Sequence, residues 1–501
     1  MEWLLCSLLK PDRQDHQNTK GKLQNTPSII NISRLDPHVT ARVFFNTRLA
    51  FMNSDTLVKN RVTAMTTILL GIAMAILDTS MINVALPYIA IQIESPASDS
   101  ILILNIYQAS MVASLLPFSA LGDRIGYKAV YIFGTIVFSF ASLACAMAAS
   151  FDSLIYARFF QGIGGSALAG VNIAIIRSIY PPNLFGRGVG ISALIVSASF
   201  CMGPLIASVL LSFGSWKSIF ILNFTLGTAV FFLSMAFIPD ESIKNNRKVA
   251  WFDLLIVTIA SFLLTLPLAM LGMTNYGWSR LIASGVALSM GLGFVFLYPS
   301  FILKLLPTPA NMKTFITTIL IALFGYISQG MVLISLPFFF FATNTSAPAI
   351  AVQSMVYWSL LSGIFAYLSG RFSDRKDPKN LLMAGLLLMF LGVILLASFG
   401  ATTCLGPLFS AIAGAGFGMF QTPNLKLLLS HSSVQESGRS NGVLATIRLL
   451  GQMIGGVLAA IFLGLDYRCG ARWALIAGAL SALIAFGLAA LQKLRVTHEC
   501  R

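Results

Sequence analysis

Long apolar runs recur along the chain from about residue 61 to residue 492. Each run contains roughly 20 residues, the length that an α-helix needs to cross a hydrocarbon core about 30 Å thick. The pattern therefore predicts an all-α integral membrane protein with fourteen transmembrane helices. The predicted spans are 62–90, 100–121, 129–149, 153–176, 188–212, 217–238, 251–270, 281–303, 314–341, 350–369, 380–399, 405–425, 440–464 and 473–492.

The composition agrees with a membrane protein. Of the 501 residues, 56% are hydrophobic and only 10% are charged, whereas soluble domains carry roughly 25% charged residues. The mean hydropathy is +0.82. A soluble multidomain protein is therefore excluded, and the lipid bilayer is the expected partner of the apolar surface.

The basic residues favour one side of the predicted spans. If the N-terminus is cytoplasmic, most of the 33 Lys and Arg residues fall in inner loops or tails, as is typical of inner-membrane proteins. This distribution predicts a multi-pass protein of the cell inner membrane with both termini in the cytoplasm. It accounts for the net charge of +15 without a nucleic-acid partner. The outer loops carry only Lys217, Arg280, Arg468 and Arg472.

Residues 1–60 differ from the rest of the chain, because they are polar and contain no apolar run long enough to cross a bilayer. Two interpretations stay open. The segment is either a disordered cytoplasmic tail or an over-extended reading of the gene, with translation beginning at Met52, so that residues 1–51 are not made. An N-terminal peptide read from purified protein distinguishes the two.

A weak internal repeat organises the spans. LGDRIGYK at 121–128 follows the second span, and GRFSDRKDPK at 370–379 follows the tenth. Both place Asp-Arg and further basic residues in a tight inner loop after the second helix of a six-helix set, a form of repetition found in secondary transporters. The predicted organisation is a six-helix bundle at 61–240, two inserted helices at 250–305, a second six-helix bundle at 312–492 and a cytoplasmic tail at 493–501.

Three charged residues lie well inside predicted spans: Asp78 in the first, Arg158 in the fourth and Arg448 in the thirteenth. Charges at this depth normally face a packed interior or a wet cavity, and they often mark ion pathways. Glycine and alanine accompany each of them at helical spacing, which predicts faces where helices approach closely. A purely structural role for the two arginines, as donors to backbone carbonyls, also stays open.

Asp78 has the clearest chemical implication. A carboxylic acid in surroundings of low dielectric constant can load and release a proton near neutral pH, which a guanidinium cannot do. The chain has no Gly-Lys-Ser/Thr loop for nucleotide phosphates, and its His and Cys residues lack metal-site spacing. We therefore expect no enzymatic activity, no metal and no cofactor. A disulfide between Cys404 and Cys469, both in predicted outer loops, stays open.

Several motifs resemble those of the major facilitator superfamily, and more narrowly those of its fourteen-span drug:proton antiporters. The segments that carry the resemblance are LDTSMINVALP at 77–87, SALGDRIGYK at 119–128, YARFFQGIGG at 156–165, GFGMFQTPN at 416–424 and ATIRLLGQMIGG at 445–456. One departure concerns the antiporter motif of the fifth span. Gly203 and Pro204 of that motif are present, but Ala207 and Ser208 replace two glycines.

The resemblance implies the major facilitator fold, with two six-helix bundles that rock about a central cavity and with two inserted helices. It implies that Asp78 takes up the coupled proton and that Arg158 adjusts this carboxylate. It also implies a conformational lock formed by inner loops. The residues at matching positions of the two loops are Asp123, Arg124, Gly126, Lys128, Asp374 and Arg375.

Polar residues within the spans are candidates for the wall of a substrate cavity, although each could instead form a hydrogen bond between helices. The candidates are Asn83, Gln108, Gln161, Asn172, Gln329, Tyr357, Gln421, Arg448 and Gln452.

The leading hypothesis is proton-coupled export of amphipathic, in particular cationic, small molecules by alternating access. The second is export of a cellular metabolite, a siderophore or a lipid-like molecule. The third is a non-transporting membrane scaffold or sensor, against which the intramembrane charges argue. The expected partners are a small-molecule substrate, protons and the bilayer, with a periplasmic adaptor as a further candidate, and the expected state is a monomer.

Overall fold

The computed structural model describes residues 37–180, 185–240, 251–271, 285–286, 289–291, 312–341, 347–373, 377–400, 405–430, 437–466 and 469–499. Within these ranges the regular structure is entirely helical, and no strand occurs. The first seven long helices are α1 (Pro37–Gln92), α2 (Leu102–Ile125), α3 (Tyr127–Met147), α4 (Phe151–Ile179), α5 (Phe185–Ser212), α6 (Lys217–Phe237) and α7 (Trp251–Met270). The next six are α8 (Met312–Phe341), α9 (Ala347–Phe372), α10 (Pro378–Phe399), α11 (Gly406–Ser430), α12 (Ser437–Leu465) and α13 (Gly470–Glu499).

Each of these helices covers one predicted span, which confirms the all-α membrane fold. In the described part of the chain, 11 helices are long and apolar enough to cross a membrane by length and composition. The eighth predicted span, 281–303, lies almost wholly outside the described residues. The total of fourteen spans and the bounds of the two bundles therefore stay predictions.

The first candidate span, Arg61–Gln92, agrees with the predicted 62–90, but the helix that contains it begins earlier. We expected a polar tail up to residue 60, but α1 already begins at Pro37. Proline is favoured in the first turn of a helix, and neither proline nor glycine interrupts the following residues up to position 60. A search for apolar runs misses such a segment, because helix propensity does not require apolar side chains. Residues 1–36 lie outside the described ranges.

The helices after α1 pack in two groups. In the first, α4 packs against α2 and α3, and α3 packs against α6. In the second, α11 packs against α9 and α10, while α13 packs against α8 and α10. Glycines permit the close contacts: a side chain at Gly162 of α4 would overlap Ser110 of α2, and one at Gly455 of α12 would overlap the carbonyl of Ile327 of α8. This confirms the close approach predicted for these faces.

The two groups meet through a few helix pairs. Helix α2 contacts α12, and α5 contacts α9. Helix α7 packs against α2, where the Thr265 hydroxyl donates to the carbonyl of Ala109 at 3.2 Å, and it also contacts α12. The contacts between the groups therefore involve α2, α5, α7, α9 and α12.

Candidate proton site and central cavity

Asp78 lies near the middle of the apolar part of α1, and its side chain is fully buried. Nη1 of Arg158 in α4 donates to Oδ2 of Asp78 at 2.7 Å, and neither side chain has exposed surface. A buried charge is stable only when it is paired and hydrogen-bonded. The structure thus brings together the two charged residues that the sequence placed 80 positions apart.

Two amides complete the surroundings of the Asp78 carboxylate. Nδ2 of Asn223 in α6 donates to Oδ1 at 2.6 Å, and Nε2 of Gln161 donates to the same oxygen at 3.1 Å. Both amide side chains are fully buried. The carboxylate therefore accepts hydrogen bonds from three side chains on two neighbouring helices. We name Asp78, Arg158, Gln161 and Asn223 the carboxylate cluster.

Further contacts fix the guanidinium of Arg158. Nε donates to the carbonyl of Ile103 in α2 at 3.1 Å, and Nη1 also donates to Oε1 of Gln161 at 2.6 Å. The guanidinium carbon lies 4.3 Å from the ring centroid of Tyr107, a distance typical of a cation–π contact. Nη2 has no hydrogen-bond partner among the described residues. A planar fork can satisfy these directions at once, whereas a single ammonium group cannot.

Two side chains of α3 contact the amide of Gln161. Nε2 of Gln161 also donates to the hydroxyl of Ser142 at 2.9 Å, and the thiol of Cys145 lies 3.8 Å from Oε1 of Gln161. The carboxylate cluster thus connects α1, α2, α3, α4 and α6. Burial of such a network is stable because nearly every polar group in it has a partner.

This geometry gives physical content to the expectation that Arg158 adjusts the Asp78 carboxylate. The ionised carboxylate is compensated by Arg158 and by two amide donors. Proton uptake must therefore compete with the ion pair. An isolated acid would bind a proton without disturbing its neighbours, but here protonation removes the negative charge that Arg158 faces.

A small cavity of about 20 Å³ lies between the two helix groups, enough for about one water molecule. It is bordered by α1, α2 and α5 on one side and by α8 and α12 on the other. The lining residues are Thr79, Asn83, Gln108, Phe200, Gly330, Leu333, Ile334 and Gln452.

Amides dominate the polar part of this cavity, and none of its described lining residues carries a charge. Gln108 is only 4% exposed, and its Oε1 has no partner in the described part of the chain. Across the cavity, Nε2 of Gln452 donates to Oε1 of Gln329 at 3.1 Å. The wall can therefore offer hydrogen bonds to a ligand, but no countercharge.

The packing of α5 against α1 requires a residue without a side chain at Gly203, the first residue of the motif in the fifth span. A side chain at this position of α5 would overlap Ser80 of α1. The Ser80 hydroxyl donates to the carbonyl of Phe200, one turn earlier in α5, at 2.9 Å. Helices α1 and α5 thus touch two residues after Asp78, at the edge of the cavity. Pro204 lies inside α5 next to this contact.

The other predicted wall residues lie elsewhere. Gln161 belongs to the carboxylate cluster and is fully buried. Tyr357 in α9 is 44% exposed. Together with Asn172, Gln421 and Arg448, which are half-buried, it is absent from the described lining of this cavity. Of the nine candidates, Asn83, Gln108 and Gln452 line the cavity, and Gln329 adjoins it through Gln452.

The loop between α2 and α3 has the tight turn that its motif predicts. Gly126 has a φ of 100°, a left-handed conformation that favours glycine. The Tyr127 hydroxyl donates to Oδ1 of Asp123 at 2.6 Å across the turn. Asp123 and Arg124 are exposed, and Lys128 is half-buried. Asp374 and Arg375 in the corresponding loop of the second half, like Cys404, lie outside the described residues.

Sequence reasoning missed Asn223, Ser142 and Tyr107, which all contact the carboxylate cluster. Asn223 lies between Leu222 and Phe224 in a span whose other polar residues within the apolar run are hydroxyl side chains. Such an isolated amide in a span is the one signal that could have marked it, because polar groups at membrane depth normally bond to another helix. Its partner, however, could not be read from the local sequence.

A membrane protein with two helix groups around a polar cavity and a buried acid in the first span has the architecture of a secondary transporter. The chain belongs to the Major Facilitator Superfamily, which it matches over residues 68–321 and 318–498. It is 35% identical over 443 residues to the uncharacterized transporter YebQ of Escherichia coli, covering 87% of this chain and 95% of that protein.

Two other relatives carry functional names. The riboflavin transporter RibZ of Clostridioides difficile is 29% identical over 398 residues, covering 79% of this chain and 86% of the relative. The multidrug resistance protein Stp of Mycobacterium tuberculosis is 25% identical over 401 residues, covering 77% of this chain and 73% of that protein. These names differ in substrate, so they support transport more firmly than any one cargo.

Solved structures show the same fold. A bacterial homologue of the human lysosomal transporter Spinster, in an inward-facing conformation, gives a TM-score of 0.63 at 15% identity and covers 86% of this chain and 97% of that structure. The nucleoside transporter NupG gives a TM-score of 0.62 at 12% identity and covers 86% of this chain and 99% of that structure. The chain is thus a multi-pass membrane transporter of small molecules and not an enzyme, which removes the scaffold hypothesis.

Proposed function

We propose that this transporter exports small amphipathic molecules in exchange for protons, by alternating access, and that Asp78 is the proton carrier. The observation that carries the proposal is the ion pair between Asp78 and Arg158, both fully buried among apolar helices. An intramembrane pair of this kind is costly to bury, and such residues usually serve ion movement.

The pair supplies a physical link between protonation and conformation. A proton on Asp78 would neutralise the carboxylate and leave Arg158 buried without its countercharge. Leaving one partner of a buried pair uncompensated costs about 3–5 kcal/mol. That free energy favours a second arrangement in which Arg158 is solvated or paired differently. Loss of the proton restores the ion pair and favours the first arrangement.

The residues that line the cavity indicate the charge of the substrate that it would suit. Its described lining contains amides, a hydroxyl and apolar groups, without a charge. Asp78, which precedes the lining residue Thr79 in the sequence, is already paired with Arg158. Desolvating a cation without a countercharge is costly, so this wall suits an uncharged amphipathic molecule better than the cation that the sequence favoured. The name of the riboflavin transporter relative supports this second candidate, export of an uncharged metabolite.

The remaining assignments complete the proposal. The loop of Asp123, Arg124, Gly126 and Lys128 acts with Asp374 and Arg375 as a lock at the cytoplasmic end. The protein lies in the cytoplasmic membrane as a monomer with both termini inside, in the fourteen-span drug:proton antiporter group. Delivery to a periplasmic adaptor is compatible with export but is not required by the mechanism.

The test uses inverted membrane vesicles with an imposed proton gradient. A neutral fluorescent amphiphile and a cationic one are supplied in parallel, and a protonophore collapses the gradient. We expect uphill accumulation that stops with the protonophore and is absent for Asp78→Asn. Exchange of labelled for unlabelled substrate without a gradient should persist in Asp78→Asn, which shows that the protein is folded. Full uphill accumulation by Asp78→Asn would refute the proton-carrier role.

A further inference from the structure

We propose that Asn223 is the positioning residue that serves both protonation states of Asp78, by donating to the ionised carboxylate and accepting from the protonated one. This inference rests on the proposed function, since it assumes that Asp78 is protonated during the cycle. It adds a residue on α6 that no motif of the chain marks.

The first half of the inference follows from the observed hydrogen bond. Nδ2 of Asn223 donates to Oδ1 of Asp78 at 2.6 Å, and both side chains are fully buried. A hydrogen bond to a charged acceptor is stronger than one to a neutral acceptor. The bond therefore stabilises the ionised form of Asp78 and opposes proton uptake.

The second half follows from the other end of the same amide. Oδ1 of Asn223 is buried and has no hydrogen-bond partner among the described residues. A protonated carboxyl group carries an O–H donor that needs an acceptor when it is buried. Rotation of the amide by half a turn would bring this carbonyl oxygen to face Asp78. The proton would come from water in the cavity or at the membrane surface. The rotation exchanges the Nδ2 hydrogen bond for one accepted by Oδ1, and no other covalent bond changes.

Within the carboxylate cluster, Arg158 and Gln161 are less suited than Asn223 to accept a hydrogen bond from protonated Asp78. The titratable or charged groups facing the site are Arg158 on α4, Tyr107 on α2 and Cys145 on α3. Arg158 has donors only. Oε1 of Gln161 already accepts from Arg158 at 2.6 Å. Asn223 is the member of the carboxylate cluster whose acceptor is unused.

The test compares Asn223→Leu, which keeps most of the volume but neither donor nor acceptor, with the parent protein. The readout is pH-difference infrared spectroscopy of the full chain in liposomes. The carboxylic C=O band of Asp78 is identified by its loss in Asp78→Asn. We expect two changes in Asn223→Leu. The band should grow in at a higher pH, because the donor lost from the charged form outweighs the acceptor lost from the neutral form. Its frequency should also rise, because the protonated group lacks its acceptor.

A control on the same helix is Ser234→Ala, which removes a fully buried hydroxyl that donates only to the carbonyl of Phe231. It should leave the band unchanged. If the Asp78 band is present in the parent but unmoved in Asn223→Leu, the role of Asn223 is refuted while Asp78 remains the proton carrier. If no titrating band disappears in Asp78→Asn, the proposed function itself fails. Restoration of the parent band by Asn223→Gln, which returns the amide, would support the role further.

Discussion

Asp78 and Thr79 are adjacent in α1, yet the carboxylate of Asp78 is enclosed by the helices of the first group, whereas Thr79 lines the cavity between the two groups. Successive residues of an α-helix point about 100° apart, so one helix can serve two environments. The proton site and the cavity therefore share one rigid element.

This arrangement offers a direct route for coupling. A shift or rotation of α1 that follows protonation of Asp78 would also move Thr79 and Asn83, one turn later, at the cavity wall. Both residues belong to the same helix, so no long pathway is needed. The coupling predicted here is reciprocal: a ligand that favours one position of α1 must also change the proton affinity of Asp78.

Replacing Arg158 with lysine should impair transport strongly. The guanidinium donates through Nε to Ile103 and through Nη1 to Asp78, and one ammonium group cannot reproduce both directions. Loss of one hydrogen bond to a charged group corresponds to roughly a ten- to hundredfold reduction, and we expect this loss in the initial rate of proton-driven export. The control is Arg177→Lys, an exposed position in the last turn of the same helix. Equal rates for Arg158→Lys and the parent would contradict the pairing.

Replacing Gln108 with leucine should weaken substrate binding without uncoupling the proton. Gln108 lines the cavity and offers an unpaired carbonyl oxygen. Loss of one neutral hydrogen bond should raise KM roughly two- to tenfold, while the accumulation ratio at saturating substrate stays the same. Transport kinetics in vesicles with the neutral amphiphile measure both quantities. Gln92→Leu, at the exposed C-terminal end of α1, is the matched control. A lowered accumulation ratio with unchanged KM would assign Gln108 to coupling instead.

Replacing Gly203 with alanine should destabilise the packing of α5 on α1. The new methyl group would overlap Ser80, and overpacking of this kind costs typically about 1–3 kcal/mol. The midpoint of thermal unfolding in detergent should fall. Gly190→Ala on the same helix meets no atom within 4 Å, so it should be neutral or slightly stabilising. The double variant Gly203→Ala with Ser80→Gly should recover most of the loss. A double variant no more stable than Gly203→Ala alone would place the strain elsewhere.

Much of the fold could be predicted from the sequence because membrane helices are local features. The length of an apolar run shows whether it can cross the bilayer, so the helices from α2 to α12 follow the predicted spans within about five residues. Helix α13 runs on to Glu499, through most of the segment predicted as a cytoplasmic tail at 493–501. The start of α1 at Pro37 could not be predicted in this way. Its first part mixes polar and apolar residues, so no apolar run marks it.

The candidate site also has some features that the sequence predicts and others that it does not. The sequence by itself determined that Asp78 and Arg158 lie at membrane depth and that glycine faces allow α2 and α4 to approach closely, because these properties depend on spacing within one helix. Only the tertiary structure decided that Asp78 faces Arg158 and that Asn223 and Gln161 donate to the same carboxylate. It also decided that Gln161 belongs to this cluster and does not line the cavity. Such pairings depend on which helices are neighbours and how each is rotated, and contacts between residues far apart in the chain set both.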